Sequence, residues 1–162
     1  MTTEQTGPTM VRSAIENDIP GLVECSSALF AEDAGRHDSA INTNWPREHG
    51  ADRFASGLSD PARLILAAVT PNEGVVGYLT GAVSEPTPMT TITTATLTAM
   101  WVHPEHRGNG TGGQLVHQFL AWAKAQHADQ AEVTAYTANE RARRFYARHG
   151  FTPHTVTVTH PL

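Results

Sequence analysis

One cysteine, Cys25, is all the sequence holds, so no disulfide closes within the chain and no cage of thiolates forms around a metal. Cys25 reads as a small core residue rather than a nucleophile. Positive charge is also in short supply. Eleven Lys and Arg stand against sixteen Asp and Glu, a net charge of -5, which is the wrong field for a chain whose main partner is nucleic acid. Long apolar runs are missing too. None approaches the roughly eighteen residues that would suggest a membrane span, and Met1 to Thr9 has no charged-then-apolar leader pattern. The nine histidines are scattered, without a spacing that would make metal ligands converge, so no metal is expected.

What is present is ordinary globular material: 162 residues, 40% hydrophobic and 17% charged, enough for one domain with a real core. The expected layout is a loose tail over 1–9 and a single domain over 10–162, located in the cytoplasm, with no membrane partner. A first strand is predicted over Val11 to Ile15. A helix follows from Ile19 to about Ala31, capped by Asn17-Asp18, with Leu22, Cys25, Leu29 and Phe30 on its apolar face. Ala31 to Gly50 reads as an irregular polar connection, and a weakly patterned helix spans Arg47 to Leu58. Arg63 to Val69 and Val75 to Ser84 form a hairpin around Pro71 and Gly74.

Thr90 to His103 is β-branched and alternating, a central strand with Met100 and Val102 on one face and Leu97, Ala99 and Trp101 on the other. It runs into Val102-His103-Pro104-Glu105-His106-Arg107-Gly108-Asn109-Gly110-Thr111-Gly112-Gly113. Pro104 ends the strand because it has no N–H to give to a ladder. The four glycines between positions 108 and 113 let the backbone turn tightly and approach a ligand. From Gln114 to Gln126, Leu115, Phe119 and Trp122 form an apolar stripe, so a helix starts at the glycines. Its first N–H groups lack partners within the helix and its dipole favours an anion there. The turn is a pyrophosphate cradle by this reading. It is not a Walker loop, which needs Lys-Ser/Thr where Gly113-Gln114 stands, and the glycine spacing does not fit a dinucleotide fingerprint. Beyond it, Ala131 to Thr137 is a strand, Asn139 caps a helix that Gly150 ends, and Phe151 to His160 is a last strand. Strands first, then helix, strand, helix and strand indicate an α+β domain with a mixed, mainly antiparallel sheet flanked by helices.

Arg107-x-x-Gly110-x-Gly112 after Val102-x-Pro104 resembles motif A of the GNAT acyltransferase superfamily, and Asn139-x-x-Ala142-x-x-Phe145-Tyr146-x-x-x-Gly150-Phe151 resembles its motif B. The resemblance covers Arg63 to the end, and more loosely the first strand and helix. It implies the GNAT-like acyl-CoA N-acyltransferase fold, with acetyl-CoA as acyl donor. Arg107, Gly108, Asn109, Gly110, Thr111, Gly112 and Gly113 would then hold the pyrophosphate, and Asn139 would touch the pantetheine arm. Tyr146 would reach the sulfur as the acid that protonates the leaving thiolate. Backbone groups at Met100, Trp101 and Val102 would serve the developing oxyanion if the strand bulges or splays, and Arg144 would meet the adenosine phosphates.

No carboxylate lies between Thr93 and Trp101, where many members of that superfamily keep a base. Glu85 is the catalytic candidate in its place, with Glu32 or Asp33 as remote acceptors through water. His37, His103 and His106 are able to titrate near neutrality, the last two flanking the cradle toward solvent or phosphate. Phe30, Glu32, Asp33 and Trp45 are the expected substrate residues, since carboxylates attract a cationic amine. The expected reaction is acetyl transfer to a primary amine of a small molecule, such as an amino-sugar antibiotic or a polyamine. A protein or peptide amine, an inactive acyl-CoA-binding sensor and a nucleotide-binding protein are the other readings. Thr90 to Thr98 and the last strand, with their β-branched edges, suggest a homodimer.

Overall fold

The computed structural model describes residues 7–162, so most of the expected tail, 1–6, lies outside the described residues. Five strands form one sheet in sequence order: β1 (Met10–Ser13), β2 (Arg63–Thr70), β3 (Gly74–Ser84), β4 (Thr94–Val102) and β5 (Gln130–Val133). The first four are antiparallel, and β5 lies parallel to β4. The α+β reading with a mixed, mainly antiparallel sheet is therefore what the chain forms.

Alternation along β2 sends Leu66 and Ala68 to one face and Ile65 and Ala67 to the other, so both faces need cover. α4 (Thr111–Ala125) covers the first, where its Leu115, Val116 and Phe119 are fully buried. α1 (Ile19–Leu29) and α3 (Trp45–Leu58) cover the second through Leu22, Cys25 and Phe54. Cys25 thus sits in the core, and burial pushes its thiol up to about 12, which leaves it an unreactive thiol at neutral pH.

Besides shifted element ends, among them the strand expected over Ala131 to Thr137, which stops at Val133, four expectations change. Asp18 does not cap α1 with its side chain; its carboxylate accepts from the Ile15 N–H (2.9 Å) and pairs with Arg12 (2.7 Å) instead, tying β1 to the helix entry. Ala31 to His37 is not irregular. α1 continues through a π-turn, Phe30–Ala34, into the short α2 (Gly35–His37), because nothing in Ala31-Glu32-Asp33-Ala34 breaks a helix. Leu97 shares a face with Met100 and Val102, not with Ala99 and Trp101. The cause is a bulge: Thr80 faces Ala99 while Gly81 faces Leu97, so Thr98 is an extra residue and the alternation flips there. Finally, Phe151 to His160 forms no strand; after α5 (Glu140–Arg148) Phe151 is half-buried and residues 152–160 are exposed.

Candidate active site

The bulge that shifts the β4 register also opens the site. β4 and β5 pair from Thr94 and Gln130 to Leu97 and Val133, then part. A bulge bends and twists its strand, and β4 continues to Val102 against β3 alone. The wedge widens into a cleft of about 1100 Å³, with Met100, Trp101 and Val102 on one wall and Thr134, Ala135 and α5 on the other.

Which backbone groups of β4 face the wedge follows from their partners. His103 N–H donates across to Val76 of β3 (2.8 Å), whereas Val102 C=O points away from β3 and accepts from Arg107 Nε (2.7 Å). Groups of one residue point to the same side of a strand and alternate along it, so the N–H groups of Val102 and Met100 face the gap and that of Trp101 belongs to the β3 ladder.

The floor of the cleft is the glycine turn. Gly108 and Gly110 take φ of 81° and 90°, a region costly for a side chain. α4 starts at Thr111, whose hydroxyl donates to the Asn109 carboxamide (2.8 Å). The first backbone bond of the helix is Gln114 N–H to Gly110 C=O (3.0 Å), which leaves the Gly112 and Gly113 N–H groups at the cleft without a backbone acceptor. A Cβ on Gly112 would sit 3.2 Å from the Phe145 ring, so this glycine also lets α5 lie against the first turn of α4. Open N–H groups, a helix N-terminus and neighbouring arginines, Arg36, Arg141, Arg144 and Arg148, all on one cleft, fit a doubly phosphorylated ligand.

The side chains expected at the donor and acceptor ends are tied to one another. Arg107 forks onto Glu32 at 2.8 and 2.9 Å, and Glu32 also accepts from Trp101 Nε1 (2.9 Å). Arg107 and Trp101 hold the Glu32 carboxyl below its ordinary value against the opposing effect of burial. The Arg107 guanidinium is thus directed at a carboxylate and a carbonyl, not at the glycine turn, and Glu32 is a committed anion and a poor base. Asp33, one residue on, accepts from Asn139 Nδ2 (2.9 Å), while Asn139 Oδ1 caps α5 by accepting from Ala142 N–H (3.1 Å). The π-turn therefore joins both walls, Glu32 to the glycine turn and Asp33 to α5. His37 Nε2 lies 3.8 Å from Asp33 and its ring rests against Tyr136 at 5.4 Å.

Tyr146 lines the cleft from α5, its ring held edge-on by Phe145 (5.4 Å) and Phe151 (5.8 Å). Burial first, and the nearby Asp33 charge second, push its phenol up to about 12, so at neutral pH it carries its proton and donates.

Other expected residues fall elsewhere. Glu85 follows Ser84, which pairs with Thr94 at the far end of β4; at the rise of a strand that is roughly 23 Å from Trp101, and Glu85 is exposed there with no access to the wedge. Phe30 and Trp45 stack on each other (6.0 Å, 10°) and neither lines the cleft; Trp45 borders a separate shallow depression with His49 and Asp52. Arg144 does line it, loosely paired with Glu140 at 3.7 Å. His106 is buried and bonded to Glu73 (2.7 Å), and His103 Nδ1 accepts from Glu105 N–H, so neither meets the cradle from solvent. Arg36, Thr134 and Ala135 were not expected at the cleft. The helix-forming run before Gly35 was the available signal for Arg36; nothing local marks the other two, which line the site only because the strands part.

A family profile described as the acetyltransferase (GNAT) family matches residues 28–151. An uncharacterized N-acetyltransferase of Mycobacterium tuberculosis is 32% identical over 99 residues, 61% of this chain and 59% of that protein. The chain thus aligns with little more than half the length of that relative. Among solved structures, a tetramutant of a Bacillus halodurans protein superposes with a TM-score of 0.83 at 22% identity, covering 94% of this chain and 99% of the other. An aminoglycoside N-acetyltransferase solved with CoA superposes with a TM-score of 0.76 at 10% identity, covering 99% of each. At those identities the two structures speak for the fold.

Proposed function

This chain belongs to the acetyltransferase (GNAT) family, and from that membership we propose that it transfers the acetyl group of acetyl-CoA directly to a primary amine of a small molecule. The observation that carries the reading is the parting of β4 and β5 over a glycine turn, with a half-buried, protonated phenol on the same cleft. Residues 10–162 act as one catalytic domain in this proposal, working in the cytoplasm.

Acetyl-CoA supplies an activated thioester. The N–H groups from Gly108 to Gly113 hold its pyrophosphate, aided by the α4 dipole, and Arg144 takes an adenosine phosphate. The Met100 and Val102 N–H groups facing the wedge donate to the carbonyl oxygen as it gains charge. Tyr146 protonates the departing thiolate, and its raised pKa keeps the proton available across the neutral range. Asn139 borders the pantetheine path while fixing the start of α5. Arg107 acts at one remove by clamping Glu32 and the end of β4.

The amine arrives as an ammonium and must lose a proton. No carboxylate lies on the wedge part of β4, and Glu32 is engaged by Arg107. The proton therefore leaves through water toward Asp33 and His37. The Asp33 carboxylate, with Glu140 also lining the cleft, favours a cationic acceptor. The aminoglycoside acetyltransferase of similar fold makes amino sugars the first amines to try, with polyamines next.

Purified chain, acetyl-CoA and a panel of amines, followed by free thiol release, tests the reading. An amine that raises release above background hydrolysis supports it, and a panel without one removes it. A second reading, an acyl-CoA-binding sensor without turnover, draws on the missing β4 carboxylate; it predicts CoA binding in a calorimeter with no amine-dependent release.

A further inference from the structure

Six asparagines occur in the sequence, and one of them, Asn109, is followed by glycine. The other five precede Asp18, Thr43, Trp45, Glu73 and Glu140, whose side chains crowd the peptide nitrogen that follows each carboxamide. Gly110 has no Cβ, and no atom lies within 4 Å of where one would stand, so nothing keeps the Asn109 side chain from closing on the Gly110 nitrogen. Gly108 on the other side is equally open, and the two glycines take φ of 81° and 90°. Gly108, Asn109 and Gly110 are all exposed. Among the described residues, the Gly110 N–H meets no backbone acceptor.

The carboxamide is already disposed for that closure. Asn109 Oδ1 accepts from the Thr111 hydroxyl (2.8 Å) and, at longer range, from the Thr111 N–H (3.4 Å), so the side chain is folded back along the Asn109–Gly110 peptide. Both donors draw electron density from Cγ and are placed to hold the oxygen as charge develops on it. They belong to the first residue of α4, where the helix dipole favours negative charge. Asn109 Nδ2 has no acceptor among the described residues, so no hydrogen bond retains it. Asn139 and Asn42 differ, because each has both ends tied: Asn139 to Ala142 N–H and Asp33, Asn42 to Asn44 N–H and Glu48.

We propose that Asn109 is a site of spontaneous deamidation, and that the reaction runs in the empty cradle and disables it for donor binding. The Gly110 nitrogen gives up its proton through water and bonds to Asn109 Cγ; the Cγ–Nδ2 bond breaks, and Nδ2 takes up a proton and leaves as ammonia. Water then opens the cyclic imide at either carbonyl, leaving aspartate or isoaspartate. The net change is one water taken up and one ammonia released, with no electron transferred. The product carboxylate keeps the Thr111 hydrogen bonds and the favourable end of the helix dipole, and from there it repels a pyrophosphate. The isoaspartate form also lengthens the turn by a main-chain carbon. This consequence rests on the transferase reading, in which the amides from Gly108 to Gly113 hold acetyl-CoA. Bound donor opposes the reaction, because the Gly110 N–H is then engaged by phosphate. Donor supply thus sets how long each copy of the enzyme stays competent.

Peptide mass mapping of the full chain held for weeks in neutral buffer, with and without saturating CoA, tests this. Asn109 should convert to aspartate and isoaspartate ahead of the other five asparagines, with conversion largely suppressed by CoA and slowed in T111V, which lacks the hydroxyl. In calorimetry, affinity for CoA should fall in step with conversion, and N109D should bind about tenfold more weakly than fresh wild type, the effect of one like charge near the phosphates. N109S, which has no side-chain amide to lose, should keep whatever affinity it starts with. The proposal is overturned if Asn109 outlasts the other asparagines, if CoA binds without protecting it, or if T111V converts no more slowly. It is equally overturned if N109D binds as tightly as fresh wild type or N109S weakens with age as the wild type does. Should T111V fail to fold, the wild-type map and the other two variants decide. Thiol release by fresh protein is read separately, so loss of this proposal leaves the transferase reading standing. A fresh chain that binds no CoA removes that reading and the loss of donor binding with it, while the mass map still decides the chemistry at Asn109.

Discussion

The two walls of the cleft are built differently. On the β4 side, the glycine turn leads into a helix whose Leu115, Val116 and Phe119 are fully buried, and Arg107 is fixed by Val102 and Glu32. On the β5 side, a four-residue strand and a helix without a single buried residue carry the phenol. Donor anchoring thus rests on well-packed structure, and the proton donor on a wall steadied by the first turn of α4 against Phe145 and by the Asp33–Asn139 bond. Damage to the first wall should abolish donor binding. Damage to the second should spare binding and slow turnover.

The largest effect is expected at Gly110. Valine at its φ of 90° strains the turn by about 1–3 kcal/mol and misaims the amides, so acetyl-CoA affinity should fall roughly 100-fold; calorimetric titration of G110V reads it. Wild-type affinity would mean the turn does not hold the donor. Next is Tyr146→Phe, for which about a 100-fold drop in kcat is expected with donor affinity nearly unchanged. Equal turnover would take the phenol out of the reaction, and equal losses in both would erase the difference between the walls. Gly112→Ala probes the contact between them, because its Cβ meets Phe145 at 3.2 Å. A slight shift of α5 should lower kcat roughly threefold to tenfold and leave donor affinity within about twofold.

The smallest effect concerns pH. Glu32 titrates below its ordinary value in the fold, so the ion pair with Arg107 contributes fully above the unfolded carboxyl pKa of about 4.3, and is lost as pH falls through the lower folded value. The carboxylate is partly exposed, so the gain is modest. Tm of the wild type should exceed that of Glu32→Gln by about 2 °C at pH 7, and the gap should close as acid protonates the carboxylate. A constant gap would show that the charge is not what links the π-turn to Arg107. Tyr146, at about 12, should add no loss of activity between pH 7 and 9.

The same contrast governs what the sequence made legible. The packed half was readable because its signals are local: Pro104 ends a strand, glycines sit where φ turns positive, and a periodic apolar stripe follows. Asn139 capping α5 and Gly150 ending it were readable for the same reason. The cleft's acidic side was not. Glu32 and Asp33 were visible as charges, but their engagement by Arg107 and Asn139 joins residues 75 and 106 positions apart. The bulge at Thr98 has no marker in a run of β-branched residues, so Leu97 falls on the face opposite to the one its alternation predicts; Glu85, separately, lies at the far end of β4 because Ser84 pairs with Thr94. The last segment shows the limit most clearly: its alternation is real, yet none of the five strands among the described residues pairs with it.

A crystal structure of the chain with CoA tests the central claim most directly. The account predicts the pyrophosphate within hydrogen-bond distance of the amides from Gly108 to Gly113, the pantetheine arm in the wedge between β4 and β5, and the sulfur beside the Tyr146 hydroxyl. A pyrophosphate bound away from the glycine turn, or a hydroxyl out of reach of the sulfur, would contradict it.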